Sequence, residues 1–227
     1  MKKTVSLSFM LMGILFNVCL LLSNILAAKR IAIFGFPASA GLLIFPVSYI
    51  LNDCITEVWG FKKACFIIWS GFAMNFFAVV CYQLAIILPA EATWNEQAAF
   101  ALVLGQTPRI ALGSLAAFLV GSFLNAYVMS KMKVFSKGKH FGQRAILSTV
   151  AGELADSIIF CTIVFIFVIP FDILWMMILT QTSLKTLYEI IILPVTARVV
   201  KHVKRIENTD VYDEKISYNV LKLMNNE

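Results

Sequence analysis

The sequence predicts an all-α integral membrane protein, a bundle of six transmembrane helices that can be divided into two inverted three-helix halves. Three observations predict it. First, 60% of the 227 residues are hydrophobic and only 14% are charged, with a mean hydropathy of +0.84. A soluble domain of this length has too little interior for so much apolar sequence. Second, the apolar residues form continuous runs instead of the in–out alternation of barrel strands. Third, the basic residues behind the net charge of +6 gather between and after those runs. That distribution fits membrane topology better than nucleic-acid binding.

The first run, residues 5–28, follows Lys2 and Lys3 and has the outline of a signal peptide. It is too long for a signal core, long enough to span, and carries Asn17, Ser23 and Asn24, so it is assigned as the first transmembrane helix. Lys29 and Arg30 end it. Residues 31–40, with Gly35 and Pro37, form a break. The second span covers residues 42–59 and closes at Gly60, Lys62 and Lys63. The third covers residues 64–88 and stops at Pro89. Residues 98–104 are apolar but too short to cross, which suits a half-helix or an interfacial turn.

Thr107 and Pro108 make a helix start, because threonine caps and proline suits the first turn. The fourth span then runs to residue 129, and Gly113, Ala117, Gly121 and Asn125 recur along it every four residues. Such a stripe lets a second helix approach closely. Residues 130–144 hold the strongest basic run, and residues 145–169 form the fifth span, ended by Pro170. The 30 residues from 171 to 200 exceed one crossing. Residues 172–180 are therefore expected to be interfacial or re-entrant, with the sixth span over 181–200 and a kink at Pro194. Residues 1–205 make the transmembrane domain and 206–227 a polar, mobile tail. Basic residues gather in the segments on the side holding both termini, whereas the opposite side holds only Lys29, Arg30 and Arg109; that asymmetry predicts cytoplasmic termini and a multi-pass bacterial inner-membrane protein.

Four acids sit inside these apolar runs. Asp53 and Glu57 are four residues apart in the second span; Glu153 and Asp156 are three apart in the fifth. Each pair therefore shares a helical face. An acid in hydrocarbon is costly unless it faces a partner or a water-filled cavity, so such acids mark ion or substrate pathways. Counted from Lys62, Asp53 lies roughly 13 Å deep and Glu57 about 7 Å. Counted from Arg144, Glu153 and Asp156 lie roughly 13 and 18 Å deep. Glu57 can be a border residue paired with Lys62 or Lys63. The other three are expected at comparable heights around a central site. In the sixth span Lys185 and Glu189 either neutralise each other as an i,i+4 pair or line the cavity that receives Glu153 and Asp156. Tyr188 lies beside them. Asn17, Asn75 and Asn125 can hydrogen-bond between helices or to a ligand, and each taken alone reads as interhelical glue.

Other chemistry is poorly represented. The five cysteines form no CxxC pair and read as small packing residues. His140 and His202 fall in basic segments, and no HExxH or other metal-ligand spacing occurs. There is no GxxxxGK[ST] loop for ATP. No metal, cofactor or enzymatic activity is expected.

Taken together, Ser23-Asn24, Asp53-Cys54-Ile55-Thr56-Glu57-Val58-Trp59-Gly60, Pro108-Arg109-Ile110, Gly152-Glu153-Leu154-Ala155-Asp156-Ser157, and Lys185 ahead of Pro194 resemble the queuosine precursor transporter family, also grouped among vitamin uptake transporters. The resemblance spans residues 11–205. It implies import of a 7-deazaguanine base, queuine or its cyano or aminomethyl precursors, for tRNA modification. The candidate substrate-binding residues are Asn24, Asp53, Glu57, Glu153, Asp156, Lys185, Tyr188 and Glu189.

The chemistry is compatible with that ligand. A carboxylate accepts two adjacent N–H donors of a guanine-like edge, and an amide serves its acceptor. Trp59, Phe160 and Tyr188 are candidate walls for the flat ring. A protonatable acid can couple import to protons, whereas exchange trapped by tRNA incorporation needs no coupling. The expected partners are the heterocyclic base and the lipid bilayer, with a homo-oligomer allowed and no nucleic acid bound. Competing readings are a membrane subunit served by a separate ATPase, a carrier of another small heterocycle, and a membrane-embedded acid-pair hydrolase. The last lacks a matching catalytic constellation.

Overall fold

The computed structural model describes residues 6–33, 36–105, 108–167, 170–214 and 216–221. Helix α1 spans Leu7–Leu26, and its first turn is capped by Ser6, whose hydroxyl accepts from the Phe9 amide at 3.2 Å. The break that follows is an antiparallel hairpin, β1 (Arg30–Ile33) with β2 (Phe36–Ser39), registered Arg30 to Ser39 and Ile33 to Phe36. The sequence reading placed no strand there, since each strand is only four residues long, too short for a periodicity to show.

A 3₁₀ turn over Ala40–Leu43 leads into α2, Phe45–Trp59. Gly60 (φ +84°) makes the corner into α3, Phe61–Ile87, using a backbone conformation open to glycine. The short apolar segment forms α4, Gln97–Leu104, tied back to α3 by Gln97 Nε2 donating to Ile86 O at 2.8 Å. Helices α5 (Pro108–Phe135), α6 (Phe141–Phe165) and α7 (Phe171–Glu207) complete the chain. The expected cap, Thr107, lies outside the described residues.

Five of these elements are long and apolar enough to cross a membrane: Leu7–Leu26, Ala40–Trp59, Phe61–Ile87, Leu112–Phe135 and Phe141–Phe165. Their outer faces carry exposed Leu11, Ile14, Phe76, Phe77, Leu84 and Leu112, while Phe16, Ile55, Cys65 and Ile68 are buried between helices. Helix α7 is longer than any of them but less apolar, because Gln181, Lys185 and Glu189 interrupt its middle. It is also continuous. The expected interfacial segment at residues 172–180 is part of the same 37-residue helix as the expected sixth span. At about 55 Å, α7 exceeds the thickness of a bilayer core.

The α5–α6 pair packs through its small residues, as the stripe predicted. A Cβ on Gly152 would meet Gly121 O at 2.8 Å and Asn125 Cβ at 2.8 Å. A Cβ on Gly113 would meet Val164 Cγ2 at 2.9 Å. Only hydrogen at these positions allows the two backbones to approach so closely.

The tail departs from the expectation of mobility. Val211 N donates to Val58 O at 3.2 Å, and Asp213 Oδ2 accepts from Phe61 N at 2.8 Å and from Ser130 Oγ. Tyr218 packs against Phe61 and Tyr127, and Trp69 Nε1 donates to Val220 O at 3.0 Å. Gly60 and Phe61 start α3 without a side-chain cap of their own, so Asp213 supplies a long-range one. A polar composition could not reveal that.

Candidate functional site

Helices α2, α5, α6 and α7 enclose a column of polar side chains arranged in three tiers. Its origin is visible in the spacing. Phe45, Tyr49, Asp53 and Glu57 follow one another at four-residue intervals on α2, as do Thr149 and Glu153 on α6 and Lys185 and Glu189 on α7. Each series lies along one helical face, and each step rises about 6 Å.

The first tier is an ion cluster at the end of the bundle where the basic residues lie. Arg144 holds Glu57 bidentately, with Nη1–Oε2 at 2.5 Å and Nη2–Oε1 at 3.1 Å, and Lys204 Nζ reaches Glu57 Oε1 at 2.6 Å. Lys133 and Lys204 also bind Asp210, at 2.5 and 2.8 Å. Burial by itself would raise the Asp210 carboxyl. Hydrogen bonds from the two ammonium groups outweigh it and hold the group below the ordinary aspartate value. Glu57 was expected to meet Lys62 or Lys63. Instead Lys62 donates to Asn219 O at 2.9 Å, Lys63 sits over the Phe9 ring at 5.1 Å, and the partners of Glu57 come from α5, α6 and α7. Arg144 is 1% exposed, so it is part of the interior and not the membrane border from which depth was counted.

The second tier holds Asp53 and Glu189, both fully buried. Thr149 Oγ1 donates to Glu189 Oε2 at 2.6 Å. Ser148 Oγ lies 3.3 Å from both Asp53 oxygens and 2.9 Å from Ala145 O, so its single proton is shared among them. Asn52 Nδ2 donates to Asn125 Oδ1 at 2.8 Å, and the buried Asn125 Nδ2 has no hydrogen-bond partner.

In the third tier Lys185 Nζ bridges Glu153 Oε2 at 2.6 Å and Asp156 Oδ2 at 2.9 Å. Of the two alternatives for Lys185, the inter-helix one is realised: its ammonium reaches α6 and not Glu189. Phe45 lies beneath it, ring centre 4.3 Å from Nζ, and Tyr49 packs on Phe45 at 5.7 Å. Several buried polar atoms of this tier have no hydrogen-bond partner: Tyr49 Oη, Glu153 Oε1, Ser157 Oγ, Thr182 Oγ1 and Thr186 Oγ1. Interiors rarely leave such groups unsatisfied.

Six of the eight sequence-derived residues therefore lie on this side of the molecule, but in different settings. Glu153, Asp156 and Lys185 share the third tier, Asp53 and Glu189 the second, and Glu57 the first. Asp53 is not level with Glu153. Arg144 meets Glu57 and Ser148 meets Asp53, which puts Glu153 about five residues, roughly 7 Å, further along. Tyr188 is half-buried on α7. Asn24 is elsewhere: its Nδ2 donates to Asn75 Oδ1 at 2.8 Å, beside a shallow recess lined by α1, α3 and α4 that shares no residue with the column. Of the proposed ring walls, Trp59 packs edge-on against Phe9 and Phe160 against Phe165, so Phe45 and Tyr49 replace them next to the ions. Both were detectable from their spacing to Asp53.

A curated relative, "Probable queuosine precursor transporter" of Bacillus subtilis (strain 168), is 28% identical over 163 residues, 71% of either chain. No solved structure matches. Residues 39–199, which contain every member of the column except Lys204 and Asp210, match the family described as "Putative vitamin uptake transporter". With a match over most of its length and apolar helices suited to a multi-pass membrane protein, the chain belongs to the vitamin uptake transporter family.

Proposed function

We propose that this protein imports a queuosine precursor, a 7-deazaguanine base, across the bacterial inner membrane, and that the base binds in the third tier. The observation that carries the reading is the set of unsatisfied buried groups around an ion triad. Glu153 Oε1, Tyr49 Oη and Ser157 Oγ lack partners next to the carboxylates that Lys185 bridges. A guanine-like edge offers adjacent N–H donors to Glu153 and a carbonyl acceptor to Lys185. A cationic aminomethyl substituent suits Asp156, and Phe45 supplies an apolar wall. The name of the B. subtilis relative points to the same ligand class.

In this reading α7 is the sixth span and both termini are cytoplasmic. Helices α1–α3 and α5–α7 are the two inverted halves on either side of the short α4. The first tier then closes the cytoplasmic end of the column, with Glu57 as a structural anchor.

The test is uptake. Cells unable to make the base are given the gene and labelled 7-cyano-7-deazaguanine, and their tRNA is assayed for queuosine. Glu153→Gln and Asp156→Asn are expected to abolish incorporation while the protein stays in the membrane. Absence of rescue by the wild-type gene, with folded protein present, refutes the substrate. Full rescue by both variants removes the third tier from the mechanism.

A further inference from the structure

The second tier contains something the base does not account for. Ser148 and Thr149, consecutive on α6, contact the Asp53 and Glu189 carboxyls respectively, which sets two buried acids side by side with no cation between them. Both are buried to 1% exposure or less, and among the described residues neither forms an ion pair with a lysine, arginine or histidine. Their donors are few. Thr149 serves Glu189 Oε2 and Ser148 approaches both Asp53 oxygens at 3.3 Å, while Glu189 Oε1 receives nothing from any hydroxyl, amide or ammonium. A buried acceptor without a donor, held against α6 beside a second cation-free carboxyl, is a position for a proton.

The other titratable groups around the pair do not relieve it. Tyr49 and Cys54 of α2 are neutral neighbours, and Glu153 and Asp156 of α6 lie one tier away. Lys185 of α7 is committed to those two acids, and α5 presents Asn125 and Met129 and no charge. Two uncompensated charges in contact within hydrocarbon are excluded energetically, whereas one shared proton converts them into a single charge held by a strong hydrogen bond.

We propose that Asp53 and Glu189 form a proton-binding carboxyl dyad, and that this dyad couples transport to the proton gradient. The coupling half rests on the import reading above; the dyad itself does not. The chemistry is one O–H bond formed on a carboxylate oxygen and broken on release, with nothing oxidised or reduced. The dyad lies one helical turn from the Lys185 triad and one turn from the Glu57 cluster. A proton arriving there changes the charge seen by Glu153 without competing for the base.

Infrared difference spectroscopy of the purified full-length protein tests the dyad directly. The wild type is expected to show the C=O stretch of a buried protonated carboxyl at neutral pH, shifted in D₂O. Asp53→Asn and Glu189→Gln should each remove it, and Glu153→Gln should leave it. No such band in the wild type, or its persistence in both dyad variants, overturns the proposal. In proteoliposomes containing a pH-sensitive dye, addition of 7-cyano-7-deazaguanine should drive protons inward with wild type and not with Glu189→Gln. Base movement by wild type without proton movement overturns the coupling. No base movement by wild type refutes the import reading instead, and the infrared band still decides the dyad.

Discussion

Lys185→Met isolates the central electrostatic feature of the bundle. In the wild type one ammonium, on a lysine 9% exposed, bridges two carboxylates at 2.6 and 2.9 Å. Methionine keeps much of the side-chain volume and deletes the charge, which leaves Glu153 and Asp156 facing each other without a cation. Breaking a buried pair by removing one partner costs about 3–5 kcal/mol. For a chain of this size that corresponds to a melting temperature lower by about 6–20 °C, from about 2–4 °C per kcal/mol. The triple variant Lys185→Met, Glu153→Gln, Asp156→Asn removes the charges together. It is expected to recover most of the loss, because the main cost of the single change is the buried charge left without its partner. Thermal unfolding in detergent, followed by tryptophan fluorescence, reads both variants. The reasoning is refuted if Lys185→Met melts with the wild type, or if the triple variant is no more stable than the single one.

Two further outcomes follow from local geometry. Gly152→Ala places a methyl 2.8 Å from Gly121 O and 3.0 Å from Tyr49 Cε1, so α5 and α6 must separate. The expected cost is about 1–3 kcal/mol, read as a lower melting temperature; a wild-type melting temperature would show that the α5–α6 seam accepts the methyl. Asp210 is held below its ordinary value by Lys133 and Lys204. Its contribution to stability is therefore complete above the unfolded-state value and lost as pH falls through the depressed one. Asp210→Asn should flatten that acidic limb of a melting-temperature profile and leave the neutral region with a uniformly lower value; an unchanged acidic limb would show that Asp210 does not carry it.

The resemblance in the sequence and the family match agree, and the reasons for what was and was not legible are physical. Composition and run length determine the membrane class, because hydrocarbon admits continuous apolar helices and little else. The four-residue spacings of Asp53 to Glu57 and Lys185 to Glu189 determine which side chains share a face, because one helical turn is close to four residues. The glycine stripe of α5 likewise announces a close helix neighbour. None of this depends on tertiary contacts.

What those faces meet was decided only by packing between helices. A lysine reaches equally well to Glu189 on its own helix or to Glu153 and Asp156 on another, and only the approach of α6 selects the latter. Glu57 had nearby lysines in sequence, yet bidentate Arg144 from α6 supplies two aligned hydrogen bonds that Lys62 and Lys63 do not. Asp213 lies more than 150 residues from the Phe61 amide it caps, beyond the reach of any local pattern. The contact of Asp53 with Glu189 is of the same kind. Sequence marks each as a buried acid; the fold alone brings them together, and it is their meeting without a cation that calls for a proton.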